Sequence, residues 1–81
     1  MKVEVLGPGC KRCEQLYENT LTATADFDSL SGIEVIKVKD IKYFARMGVF
    51  VTPGLVIDGD VVSAAKVLSV YEIKNIIAER L

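Results

Sequence analysis

Hydrophobic and polar residues follow two rhythms along this chain, and the switches between them mark its elements. VEVL at 3–6 is short and β-rich, and Gly7-Pro8-Gly9 stops it. From Lys11 to about Phe27, apolar or semi-apolar residues fall at Cys13, Leu16, Tyr17, Thr20, Thr24 and Phe27, which is helical spacing, and Ser31-Gly32 closes the segment. IEVIKV at 33–38 returns to strand character with its β-branched residues. Asp40 can cap a short helix with Ile41, Phe44, Ala45 and Met47 as its apolar positions, and Gly48 is placed to end it. VFVTPG reads as a loop. In LVIDGDVVS the Asp58-Gly59 pair sits between two β-branched runs, a hairpin signature. Ser69 and Glu72 form a capping box that opens a last helix with Val70, Ile73, Ile76, Ile77 and Leu81 on one side.

The predicted order is β-α-β-α-β-β-α, an α/β arrangement. A helix joins the first two strands, so they should run parallel with a right-handed crossover, while the last two form an antiparallel hairpin. The expected result is a four-stranded mixed sheet flanked by three helices. With 81 residues and no repeat or linker, residues 1–81 should form a single domain.

Composition narrows the function classes. The chain is 51% hydrophobic and 26% charged with net charge −1, the profile of a folded, water-soluble domain. Its apolar runs are too short to cross a bilayer, and Glu4 sits where a signal peptide would need its apolar stretch. A cytoplasmic protein with no membrane partner is expected. Lys37, Lys39 and Lys42 form the densest basic stretch, but Asp40 interrupts it and no aromatic platform accompanies it. These lysines read as a solvated face, and nucleic acid is not an expected partner.

The chemistry concentrates in GPGCKRC, which holds both cysteines. In a reducing compartment a close cysteine pair points to catalysis or metal binding before a permanent staple. Cys10 falls at the strand-to-helix junction, where unpaired N–H groups and the helix dipole favour a negative charge. Lys11 and Arg12 add two cations, so the Cys10 pKa should lie below that of free cysteine. Cys13 follows nearly one helical turn later, within the span a disulfide tolerates, and faces the core with Leu16 and Tyr17. Cys10 would attack a disulfide and Cys13 would resolve the mixed disulfide, leaving a Cys10–Cys13 disulfide.

Three other readings stand beside this one. The cysteines could be small core hydrophobes, which suits Cys13 and not Cys10. A closed zinc site wants four ligands, and the chain has two cysteines and no histidine, so a dimer or recruited carboxylates would have to complete it. A soft-metal carrier, a copper or zinc chaperone binding through the two thiolates, is the main rival. Such chaperones carry Met two residues before the first cysteine and end in a strand; this chain has Pro8 there and ends in a predicted helix.

A strand, a tight loop, CxxC opening a helix, and Thr-Pro before a later strand together resemble the thioredoxin-like superfamily. GPGCKRC, VTPGLVIDG and the capped last helix are most similar to the small prokaryotic thioredoxin- or glutaredoxin-like redox-active disulfide proteins, over essentially the whole chain. The resemblance implies a thioredoxin-like fold and a thiol–disulfide oxidoreductase, with Cys10 and Cys13 as catalytic pair and no dissociable cofactor or metal. It implies disulfide-bearing protein or small-molecule substrates and a disulfide reductase as electron donor; a monomer is expected. It further implies a cis Thr52–Pro53 bond with Pro53 against the cysteines and the Thr52 backbone positioning substrate. Glu4, six residues before Cys10, matches the family's buried acid and could relay a proton to Cys13; the other reading of Glu4 is an exposed carboxylate paired with a lysine. The sequence departs from thioredoxins proper, with Pro8-Gly9 before the motif, Lys11-Arg12 within it and no Trp. Where glutathione-binding glutaredoxins carry Gly-Gly, this chain has Ser63-Ala64-Ala65-Lys66.

Overall fold

In a computed structural model of the chain, residues 1–9, 11–27 and 32–80 are described. The predicted order holds: β1 (Lys2–Leu6), α1 (Lys11–Ala25), β2 (Glu34–Val38), α2 (Ile41–Arg46), β3 (Gly54–Ile57), β4 (Asp60–Ala64) and α3 (Val70–Arg80). The sheet runs β2-β1-β3-β4. β2 lies parallel to β1, while β3 is antiparallel to both β1 and β4. The mixed sheet and three helices among the described residues therefore match the expected architecture. Cys10, Ser31 and Leu81 lie outside the described residues.

Central strands explain the core. Successive side chains on a strand point to opposite faces, and β1 uses both. Val3 and Val5 join Leu16 and Ala23 of α1, Leu55 and Ile57 of β3, and Ile73 and Ile77 of α3 in one cluster. Leu6 turns the other way, to Val56, Phe44 and Val49. Two long helices thus cover one face and six-residue α2 covers the other.

Local chemistry sets the ends. Thr20 and Thr24 face the core in α1 and return their hydroxyls to the preceding turn, to the Leu16 carbonyl at 2.7 Å and the Leu21 carbonyl at 3.2 Å. Asp40 caps α2 by accepting from the Lys42 amide at 3.0 Å. Gly48, at φ +79°, ends it in a Schellman motif: its amide donates to Ala45, the Val49 amide donates to Phe44, and those two side chains share a cluster. The capping box closes reciprocally, Ser69 amide to Glu72 carboxylate at 3.2 Å and Glu72 amide to Ser69 hydroxyl at 3.1 Å. Asp58 and Gly59 both take positive φ, as a two-residue hairpin turn of the primed type requires.

Candidate functional site

Antiparallel pairing sets Gly54, the first residue of β3, opposite Leu6, the last of β1. The loop leading into CxxC and the loop carrying Thr52-Pro53 therefore meet at one end of the sheet. Parallel pairing brings Val38 to the same end, and the Gly7 amide donates to its carbonyl at 3.0 Å. β4 also finishes there, with Ala64 opposite Gly54. This is the carboxyl end of the two parallel strands, where open α/β sheets place ligands.

Cys13 sits in the first turn of α1 with 4% of its surface exposed. It is pressed against Gly7: a Cβ built there would fall 2.4 Å from Cys13 Sγ and 2.7 Å from its Cβ. Only glycine fits. Read from sequence, Gly7 is a strand stop; its second task, admitting the Cys13 sulfur, depends on a contact across the fold that the local pattern does not encode.

Thr52–Pro53 is cis, as the resemblance implies. Pro53 is buried, and its carbonyl accepts from the Ala65 amide at 2.8 Å. The Ala65 carbonyl in turn accepts from Arg12 Nη2 at 2.8 Å. Arg12 thus reaches out of the CxxC motif to the loop that follows β4, and that loop is hydrogen-bonded to Pro53. Lys11, its neighbour, is exposed. The expected packing of Pro53 against Cys10 concerns a residue outside those described.

Glu4 is 5% exposed, and among the described residues it makes no ion pair. The alternative of an exposed carboxylate paired with a lysine is therefore overturned. Alternation along β1 places Glu4 on the Leu6 face, toward α2, whereas Gly7 meets Cys13 on the side of α1. The partner of Glu4 is Tyr43 of α2. A hydrogen bond to Glu4 raises the Tyr43 pKa above its ordinary value, burial and the negative charge of Glu4 add to the rise, and Arg46 opposes it. The Arg46 guanidinium lies 5.8 Å from the centre of the Tyr43 ring.

Beside the TP loop a cleft of roughly 260 Å³ is lined by Pro8, Ile41, Phe44, Ala45, Val49, Phe50 and Thr52. Its lining carries no charged residue, and Phe50 at its rim is 83% exposed. The Thr52 backbone makes no hydrogen bond among the described residues. No three His, Cys, Asp or Glu side chains gather as metal ligands among the described residues. None of the described helices is long and apolar enough to cross a membrane.

The thioredoxin domain family model matches residues 1–78. The chain belongs to the thioredoxin domain family. Two relatives named thioredoxin agree with this membership. One, from Methanocaldococcus jannaschii, is 40% identical over 75 residues, covering 90% of this chain and 81% of the relative. The other, from Methanothermobacter thermautotrophicus, is 31% identical over 78 residues, covering 96% of this chain and 99% of the relative. No solved structure matches the chain with significance. The resemblance to the thioredoxin-like superfamily is borne out.

Proposed function

We propose that this protein is a thiol–disulfide oxidoreductase working through a Cys10–Cys13 dithiol. The observation that carries the reading is the placement of Cys13 in a glycine-lined niche at the head of α1, within a thioredoxin family domain. Cys10 directly precedes Lys11, the first residue of the 15-residue α1, so an anion on its sulfur would meet the unpaired amides of that helix. Lys11 and Arg12 add positive charge nearby.

In the proposed cycle the Cys10 thiolate attacks a substrate disulfide, forming a mixed disulfide and releasing one substrate thiolate. Cys13, losing its proton, attacks the Cys10 sulfur and releases the second. Two electrons pass to the substrate, two protons complete its thiols, and the protein is left with a Cys10–Cys13 disulfide. Glu4 is the proposed proton acceptor for Cys13. Thr52 and Pro53 position the substrate, the Thr52 backbone pairing with an extended segment as an added strand does. Substrates are disulfide-bearing proteins or small molecules, a disulfide reductase returns the electrons, and the dithiol itself serves as redox group. We place the protein in the cytoplasm as a monomer. The soft-metal chaperone is less well supported, since Pro8 stands two residues before Cys10, where such chaperones carry Met.

The test is a titration of the cysteine pair through graded thiol–disulfide buffers, counting alkylated cysteines by mass. A reversible two-electron midpoint of about −270 to −180 mV is expected, between thioredoxin and protein disulfide isomerase. A pair that never closes within one chain would reject the proposal.

A further inference from the structure

The lysine run read from sequence as a solvated face divides in the structure. Lys37 pairs with Glu14 at 2.7 Å and lies 4.6 Å from the centre of the Tyr17 ring. Lys39 goes elsewhere. The Gly7–Val38 hydrogen bond carries the parallel pairing of β1 and β2 one step past their ends, so the Lys39 backbone falls opposite Gly7. An ideal Cβ at Gly9 would sit 3.9 Å from Lys39 Nζ. Gly9 directly precedes Cys10 in the chain, and consecutive Cα atoms are about 3.8 Å apart.

Among the described residues, Lys39 has no hydrogen-bond or ion-pair partner. Asp40, adjacent in sequence, forms no ion pair with it among the described residues; its carboxylate accepts from the Lys42 amide as the cap of α2. Arg12 is held by the Ala65 carbonyl, whereas Lys39 has no such contact. The neighbouring cleft offers no acid to compete for its ammonium.

Resting on the oxidoreductase reading, we propose that Lys39 is a specificity residue that favours disulfides bearing negative charge beside the scissile sulfur. A carboxylate on the substrate would meet Lys39 as the disulfide approaches Cys10. An ammonium at that place would be repelled. In a solvent-exposed setting one such charge pair changes a rate by about threefold to fivefold, and the two signs together widen the contrast between anionic and cationic substrates.

The experiment uses pre-reduced protein in single turnover at low salt and near-neutral pH. The probes are dithiodipropionate, hydroxyethyl disulfide and cystamine, which are anionic, neutral and cationic. Each rate is divided by the rate of the same disulfide with dithiothreitol, removing intrinsic reactivity. The normalised anionic-to-cationic ratio should fall about threefold to tenfold in Lys39→Met, stay near wild type in Lys39→Arg, and shrink in high salt. If Lys39→Met lowers all three rates by one factor, the lysine acts on the Cys10 thiolate and not on the substrate, and the proposal is overturned. An unchanged ratio overturns it as well. If the neutral disulfide does not react with wild-type protein, the oxidoreductase reading itself falls and takes this one with it.

Discussion

Arg12 and Ala65 are joined by a 2.8 Å hydrogen bond from the guanidinium to the carbonyl, although they lie on opposite sides of the sequence. The Ala65 amide continues the connection to Pro53. One side chain within CxxC therefore braces the loop against which the TP segment is held. Replacing Arg12 with Met should cost about 0.5–1.5 kcal/mol, the range of an ordinary hydrogen bond, since the contact is exposed. Amide exchange at Ala65 should quicken more than exchange in β1. Equal protection of Ala65 in both proteins would show that the brace is not Arg12.

Gly7→Ala addresses the niche around Cys13. The added methyl group cannot coexist with the Cys13 sulfur at 2.4 Å, so α1 must shift or the sulfur must turn away. A stability loss of about 1–3 kcal/mol is expected, as for other overpacked cores, read from the urea midpoint. Mixed disulfides should also last longer, because the resolving sulfur is displaced. Wild-type values for both would refute the contact.

Glu4→Gln separates the two tasks open to a buried carboxylate. It should slow resolution of the mixed disulfide while leaving alkylation of Cys10 at its normal rate. The same change should lower the Tyr43 phenol toward its ordinary value, because the hydrogen bond and charge that raise it are removed. Rapid-quench mass spectrometry reads the first and phenolate absorbance the second. A drop in the phenol pKa with unaltered resolution would leave Glu4 as a partner of Tyr43 and end its role as a relay.

Tyr43 also ties stability to alkaline pH. Its folded pKa is raised from 10.0, so the folded protein holds the phenolic proton more tightly than the unfolded chain does. The associated stabilisation is whole below the unfolded pKa of about 10 and is lost as pH rises through the folded value. The urea midpoint of wild type should therefore fall above about pH 10 more steeply than that of Tyr43→Phe. Parallel curves would contradict the linkage.

The parts of this fold legible in sequence are those fixed by nearby residues. The Ser69–Glu72 box, the Asp40 cap, the Asp58-Gly59 turn and the spacing of Leu16 and Thr20 each carry their own chemistry within a few positions. Even there the end of α1 shifts: it stops at Ala25, and Phe27 closes a turn onto the Thr24 carbonyl at 2.9 Å. What sequence could not supply depends on tertiary approach. Gly7 beside Cys13, Arg12 beside Ala65, and Glu4 beside Tyr43 each join residues from separate elements. Lys39 shows the same limit with charge, since only the fold distinguishes it from Lys37.

The hairpin turn lies at the other pole from the cysteine motif. The Lys2 amide donates to the Asp58 carboxylate at 2.7 Å, and Arg80 reaches Asp60 at 3.2 Å. Met1 and the end of α3 are thus both gathered where the loops of the candidate site are not. A dye, a bead or an electrode attached at Lys2 or Arg80 would sit at the pole away from the loops of the candidate site, so the domain lends itself to oriented immobilisation.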